Sequence, residues 1–378
     1  MSTVFRLPQG KVAPDYQQRP VGAVLFVAGE LGEDSASHHI LRLARELRRR
    51  GKEVGLACAG GPLTGRFEKI GISPFLARSL AYPRAAFLPA RGLLAHARDL
   101  APGVLHFFGR PLAGWALRLS RALGLPYALS ITTFAAGRAR LVGDWRRGAV
   151  LTYSEELREE LVNRDRVPKD AIALLPAGIS LGDYERYRDS DGSSEVPVVG
   201  TVGPLVPERG CEYFLRAARE ILDRGRQVQF LVAGDGPELP LLRQLARQLE
   251  LDHHVTFTQH FDDYRSMLAV LDVCVLSALQ EGLSLNVLEA IACRKPVVAT
   301  GAGPVCGVIK DGQTGFLAPK KDPTAIAEKV LELLDDEGLR RKIVDAAYQM
   351  VRERYSIEAS VQCLLRFYSW CAARAEGA

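Results

Sequence analysis

The segment Ser277-Ala-Leu-Gln-Glu-Gly-Leu-Ser-Leu-Asn-Val-Leu-Glu-Ala290 concentrates the residues best suited to chemistry. Two carboxylates, Glu281 and Glu289, stand eight residues apart, about two helical turns. An apolar run ends at Leu276, a loop carries Glu281, and Gly282 lets the backbone turn into a helix beginning near Ser284. Backbone N–H groups at such a helix start lack intrahelical partners and face a positive dipole end, so they suit a phosphate. A carboxylate at Glu289 could accept the hydroxyls of a sugar or a ribose from a neighbouring position.

Other candidate groups are weaker. Gly301-Ala-Gly-Pro-Val-Cys-Gly307 follows a strand, but its spacing is G-x-G-x-x-x-G with a proline inside. A dinucleotide loop needs G-x-G-x-x-G opening a helix at the first strand, so nicotinamide binding is rejected. The seven cysteines form no C-x-x-C pair and never cluster with histidine, which excludes a zinc site and reads as reduced core thiols. His106 ends a strand, where it either faces a cleft or is buried. His260 follows the strand Val255–Thr258 and could meet a ligand there.

These residues need rigid elements behind them. Val21 to Ala28 is a continuous apolar run, expected of a buried parallel strand. The acidic, Gly-rich loop Gly29-Glu-Leu-Gly-Glu-Asp-Ser35 follows, then an amphipathic helix that ends in Arg48-Arg49-Arg50 and stops at Gly51. Strand and helix then alternate to Leu175, which predicts an open parallel sheet. Asp189-Ser-Asp-Gly-Ser-Ser194 is polar and small, the expected linker. The alternation restarts at Val196 and runs to helices that close the chain. The expected organisation is a loose arm over 1–20, one domain over 21–190, a second over 195–355, and a helix over 356–378 that crosses back onto the first. The fold class is α/β: two Rossmann-like, doubly wound parallel sheets facing across a cleft.

Size and composition fit this division. At 378 residues the chain exceeds a usual single core, and 47% hydrophobic with 25% charged residues is ordinary for a folded protein. No apolar run is long enough to span a membrane, and the polar first twenty residues lack a signal-peptide core, so a cytoplasmic protein is expected. The net charge of +5 is unevenly spread. Residues 1–190 carry 28 Lys and Arg against 18 Asp and Glu, and residues 191–378 carry 21 against 26. The basic half suits a phosphorylated substrate or an anionic lipid surface. Nucleic acid is not expected, because no basic–aromatic recognition motif is present.

The Glu281-x7-Glu289 segment resembles the E-x7-E motif of the retaining family-4 glycosyltransferases, which have the GT-B fold. Four further stretches resemble that family's motifs in order: Val202-Gly-Pro-Leu-Val-Pro-Glu-Arg-Gly210, Val232-Ala-Gly-Asp-Gly-Pro237, Arg294-Lys-Pro-Val-Val-Ala-Thr300 and Ile309-Lys-Asp-Gly-Gln-Thr-Gly-Phe-Leu317. The front half is similar more loosely, through the helix from His39 to Gly51, Leu105-His106 and Leu175-Pro-Ala-Gly-Ile179. The resemblance implies that Glu281 binds donor-sugar hydroxyls and that Glu289 holds the ribose. It further implies that backbone N–H groups of Leu283, Ser284 and Leu285 face the diphosphate, with Gly203 and Gly282 shaping the loops and His260 near the base. Arg209 stands where the family has a lysine that neutralises the leaving diphosphate. Gly32, His106, Thr132 and Arg138 become candidate sugar or acceptor contacts.

The departures are specific. Pro204 replaces a phosphate-binding arginine, Thr132 replaces a histidine that contacts the donor sugar, and Asp34 falls near the first loop's glycine pair. Losing a cation there would weaken charge stabilisation, for which Arg138 or Arg140 could compensate. The resemblance implies transfer of a sugar from a nucleoside diphosphate sugar to a glycan or lipid-linked acceptor. Configuration is retained and neither metal nor cofactor is required. Cell-envelope or polysaccharide biosynthesis is the expected setting, with peripheral membrane contact through the basic half. Pro204 and Thr132 keep a second reading open: a catalytically weak or inactive homologue acting as a nucleotide-binding or partner subunit.

Overall fold

The computed structural model describes residues 6–7, 21–32, 34–82, 86, 90–135, 140–188, 196–259, 263–280, 283 and 285–376. They form two compact units, Met1–Gly178 with Ile357–Ala378, and Ile179–Ser356.

Unit 1 holds strands β1 (Val24–Ala28), β2 (Val54–Cys58), β3 (Phe75–Leu76), β4 (Val104–Phe108), β5 (Tyr127–Ser130), β6 (Gly148–Thr152) and β7 (Ile172–Leu174). They pair in parallel in the order β3-β2-β1-β4-β5-β6-β7. Val24 of β1 stands opposite Val54 on one side and Val104 on the other, so the winding direction reverses between β1 and β4. β1 and β2 are buried along their whole length, as apolar runs covered on both faces must be. The helix Ser35–Arg49 begins where Asp34 accepts a hydrogen bond from the Ser37 N–H, and its last turn carries Arg48 and Arg49.

Unit 2 repeats the plan with β8 (Val198–Val202), β9 (Gln229–Ala233), β10 (Val255–Thr258), β11 (Val273–Leu276), β12 (Val297–Thr300) and β13 (Phe316–Ala318). The parallel order β10-β9-β8-β11-β12-β13 reverses between β8 and β11. Its core sets Phe214, Leu215 and Ala218 of the helix Cys211–Asp223 against Val199, Phe230 and Val232 of the sheet, with Ile326 and Val330 of the helix Pro323–Asp335.

One boundary differs from the sequence reading. The expected linker at 189–194 lies outside the described residues, and the chain passes between units at Gly178 and Ile179 instead. The reason is packing: the short helix Leu181–Tyr187 buries Tyr184 and Tyr187 in unit 2. The second crossing follows Ser356, and the Ile179 N–H donates to the Tyr355 carbonyl at 2.8 Å, so the entering and leaving strands of unit 2 lie side by side. The helix Ile357–Glu376 belongs to unit 1, where it packs on the helix Ser35–Arg49 and buries Phe367, Tyr368 and Trp370. Of the arm expected over 1–20, Arg6 is ordered by two backbone hydrogen bonds with Leu174, each 3.0 Å.

Candidate active site

In unit 2 the strand-end loops converge where the sheet order reverses, the place such sheets bind ligands. Gly203 follows β8 with φ +147°, and its N–H donates to the Ala233 carbonyl at 2.9 Å. A Cβ on Gly234 would lie 1.8 Å from the Gly203 carbonyl oxygen, and one on Gly236 would lie 2.3 Å from that of Leu205. The Gly-Asp-Gly-Pro stretch is thus a packing device that braces the loop carrying Arg209. Its Asp235 carbonyl accepts from the Leu205 N–H at 2.8 Å.

Arg209 ends the turn Pro207–Arg209, and Gly210 then takes φ +55°, with a Cβ there only 2.5 Å from the Ser277 carbonyl. Ser277 Oγ donates to the Gly210 carbonyl at 2.9 Å, and the Leu279 N–H donates to the Glu208 carbonyl at 2.7 Å. The Arg209 loop and the loop after β11 are therefore sewn together. Asn286, on the helix Leu285–Ala292, donates from Nδ2 to the Val202 carbonyl at 2.8 Å and accepts from the Arg209 guanidinium at 3.4 Å. A small, partly open pocket lies here, lined among others by Gly203, Pro204, Arg209, Cys211 and Ser277. Among the described residues that line it, Arg209 is the one charged side chain, and Pro204 lines the same pocket. Burial pushes the Cys211 thiol up to about 11, so it is neutral and a poor nucleophile.

Glu289 is buried on the same helix. Its Oε1 lies 2.6 Å from the Tyr264 hydroxyl and 3.0 Å from that of Tyr184, and the two hydroxyls are 3.2 Å apart. Asp263 ties the supporting elements together. It accepts from Arg265 Nε at 2.8 Å, Arg186 at 2.9 Å and the Tyr187 hydroxyl. Burial alone would raise the Asp263 carboxyl, but hydrogen bonds from Arg265 and Tyr187 outweigh it and hold the group well below the usual carboxylate range. Leu283 and Leu285 are buried at the helix start. Glu281, Gly282, Ser284 and His260 lie outside the described residues.

Unit 1 changes several expectations. His106 is fully buried, with Nδ1 2.5 Å from the Tyr368 hydroxyl and Nε2 2.7 Å from Ser130 Oγ. Both ring nitrogens are spent inside the core, so His106 is not a sugar or acceptor contact. Asp34 spends its carboxylate on the helix cap, accepting from the Ser37 N–H at 2.9 Å and the Ser37 hydroxyl at 2.7 Å. Gly32 is half-buried beside it, where a Cβ would meet the Asp34 carboxylate at 3.0 Å. Thr132 is half-buried just past β5. Arg138 lies outside the described residues, and Arg140 is exposed. The loop bearing Thr132 is anchored by residues the sequence did not single out. Arg110 donates to the Thr133 carbonyl at 3.1 Å and pairs with Glu160 and Asp165, while Asp165 accepts from the Leu141 N–H at 3.1 Å. Tyr184, Tyr264 and Asn286 were likewise missed. Nothing local marks Tyr184 or Tyr264 as facing a carboxylate, and Asn286 is signalled only as a polar residue on an otherwise apolar helix.

Comparison with known proteins agrees with this architecture. The family described as Glycosyl transferases group 1 matches residues 183–350, and Glycosyltransferase Family 4 matches residues 36–183. The chain belongs to the family 4 glycosyltransferases. It is 29% identical over 281 residues to the alpha-D-kanosaminyltransferase of Streptomyces kanamyceticus, covering 66% of this chain and 72% of that one. An uncharacterized glycosyltransferase of Methanocaldococcus jannaschii is 27% identical over 84% of this chain and 90% of its own. The crystal structure of Anabaena HepE in complex with UDP and glucose superposes with a TM-score of 0.75 over 91% of this chain and 98% of that one, at 18% identity. Both units of this glycosyltransferase are thus parallel-sheet α/β domains of the GT-B class.

Proposed function

We propose that this glycosyltransferase moves a sugar from a nucleoside diphosphate sugar to a glycan or lipid-linked acceptor, with retention of configuration. The observation that carries the reading is the pocket at the β8–β11 reversal, where Gly203, Arg209 and Ser277 converge beside the helix bearing Asn286 and Glu289. In this reading Arg209 and the helix-start N–H groups of Leu283, Ser284 and Leu285 neutralise the diphosphate, without calling on a metal ion or cofactor. Glu289 accepts ribose hydroxyls, and Glu281 by its sequence position accepts those of the sugar. The acceptor oxygen bonds to the anomeric carbon on the face from which the diphosphate leaves. The anomeric carbon–phosphate oxygen bond breaks, and the acceptor proton passes to the departing phosphate oxygen. Negative charge grows on that group in the transition state, where a preplaced guanidinium is most useful. The basic surplus in residues 1–190 supports an acceptor held by unit 1 and peripheral contact with an anionic membrane, in a cytoplasmic enzyme serving the cell envelope. Among the described residues, no helix is long and apolar enough to cross a membrane.

Pro204 favours a second reading, because it lines the same pocket, where Arg209 is the one charged side chain among the described lining residues. That reading is a nucleotide-binding homologue with little turnover. Thermal-shift titration with UDP- and GDP-sugars tests the donor site, and stabilisation by neither would sink it. Release of nucleotide from a stabilising donor, lost in Glu281→Ala, separates the active enzyme from the binding homologue.

A further inference from the structure

We infer that Arg110, Glu160 and Asp165 are positioning residues for the acceptor: they fix the backbone that presents the Thr132 hydroxyl to it. The inference rests on the reading that unit 1 holds the acceptor. β5 and β6 are parallel neighbours, and such pairs are usually joined through a helix. Here the connection over 131–147 carries no helix or strand among its described residues. A connection of that length without secondary structure is uncommon in a compact domain outside functional loops. It starts at the carboxyl end of β5, next to β4 and so close to the reversal between β1 and β4, where sheets of this kind bind ligands.

Three charged side chains hold this connection. Arg110 Nε donates to the Thr133 carbonyl at 3.1 Å, and its terminal nitrogens donate to Asp165 at 2.5 Å and to Glu160. Glu160 accepts from the Ala135 N–H at 3.1 Å, and Asp165 accepts from the Leu141 N–H at 3.1 Å. Among the described residues, every side-chain hydrogen bond of the three ends on another of them or on the backbone of this connection. The Asp165 side chain is fully buried and that of Arg110 is 14% exposed. Pairing in such a place does little more than offset the cost of removing the charges from water, so stability is a weak reason for the cluster. What it achieves is geometric: a rigid guanidinium fork and two carboxylates meet three backbone groups in one arrangement. Thr132 lies between two of these fixed points. The Ile131 N–H donates to the Leu151 carbonyl at 2.8 Å, and the Thr133 carbonyl is held by Arg110. The Thr132 hydroxyl makes no hydrogen bond to any described residue, so its proton and lone pairs can meet a hydroxyl of the acceptor.

The test measures sugar transfer by the full chain from the UDP- or GDP-sugar that stabilises it, with octyl glucoside and p-nitrophenyl glucoside as acceptor probes. Thr132→Val should raise the acceptor KM roughly 2- to 10-fold, the worth of one hydrogen bond, and Thr132→Ser should restore it. Arg110→Lys keeps the charge but loses the fork, and Glu160→Gln keeps an acceptor for the Ala135 N–H; two separate variants guard against either one misfolding. Each should raise the acceptor KM by a similar factor, with the loss falling on KM more than on kcat. Thr132→Val combined with Arg110→Lys should be little worse than either alone, because one acts through the other. Fully additive losses would overturn the inference. So would Arg110→Lys and Glu160→Gln chains that unfold at lower urea yet keep the wild-type acceptor KM, since that is a purely structural role. A wild-type chain that hydrolyses the donor but transfers to neither probe would remove the acceptor role of unit 1, and this inference with it. The donor reading is judged apart from all of these, by nucleotide stabilisation.

Discussion

Lowering the pH from 7 to 5 should destabilise unit 1 selectively, because two of its histidines are buried neutral. Burial, reinforced by the nearby Arg42 cation, pushes His39 down to about 3. Burial and then the neighbouring His39 do the same to His106, also to about 3. In the unfolded chain both would titrate near 6.5, so below that pH the unfolded state binds more protons and stability falls with pH. Integrated from pH 7 to 5, a shift of this size removes about 2 kcal/mol per histidine, or about 4 kcal/mol for the pair. That is a large share of the roughly 5–15 kcal/mol that holds a domain together. The molecule supplies its own assay: the three tryptophans, Trp115, Trp145 and Trp370, all lie in unit 1. Urea titrations followed by tryptophan fluorescence at pH 7, 6 and 5 should show the midpoint falling steadily, with uptake approaching two protons at pH 5. In His39→Phe and His106→Asn the slope should be roughly halved. A stability that is flat from pH 7 to 5.5, or variants that retain the wild-type slope, would refute the buried-neutral assignment.

Arg209→Ala should lower kcat roughly 10²–10³-fold by removing charge stabilisation at the leaving group, and Arg209→Lys should restore part of it; steady-state kinetics with a stabilising donor decides. Glu289→Ala should destabilise unit 2 by about 2–4 kcal/mol, since the Tyr184 and Tyr264 hydroxyls lose their shared acceptor, whereas Glu289→Gln should cost less; far-UV melts rank the two. Gly234→Ala should give little folded protein, because its φ of +157° and a Cβ 1.8 Å from the Gly203 carbonyl oxygen offer no room to relax; soluble yield and melting temperature report this.

Much of the sheet framework was legible because buried parallel strands are spelled as apolar runs. Val24–Ala28 and Val273–Leu276 have no other reading once helices flank them. Arg48, Arg49 and Gly51 marked a helix end through charge and backbone preference. The order of motifs around Arg209 and Glu289 showed where loops meet, since each lies at the end of a strand. What stayed hidden depends on partners distant in sequence. The Tyr184–Glu289 bond spans 105 positions, and nothing local marks that tyrosine as polar-facing. His106 left two readings open because its strand position does not reveal that Tyr368, 262 residues away, covers it. The polar stretch at 189–194 drew attention from the crossing at 178–179, where Gly178 is required by packing: a Cβ there would lie 2.6 Å from that of Ser360. Strand β3, two residues long, is too short to leave a pattern.

The paired crossing strands carry an engineering consequence. Residues 179–356 form one uninterrupted stretch whose first and last residues meet as a β-bridge between Ile179 and Ser356, whereas unit 1 is assembled from two separate pieces of chain. In genetic terms unit 2 is a cassette inserted into unit 1. Its adjoining ends are the arrangement that tolerates excision, circular permutation and exchange between scaffolds. Unit 2 could therefore be swapped by a single continuous replacement, and a short linker joining Gly178 to Ile357 would close the unit left behind. The same topology means that one proteolytic cut at either crossing leaves the two units covalently joined through the other.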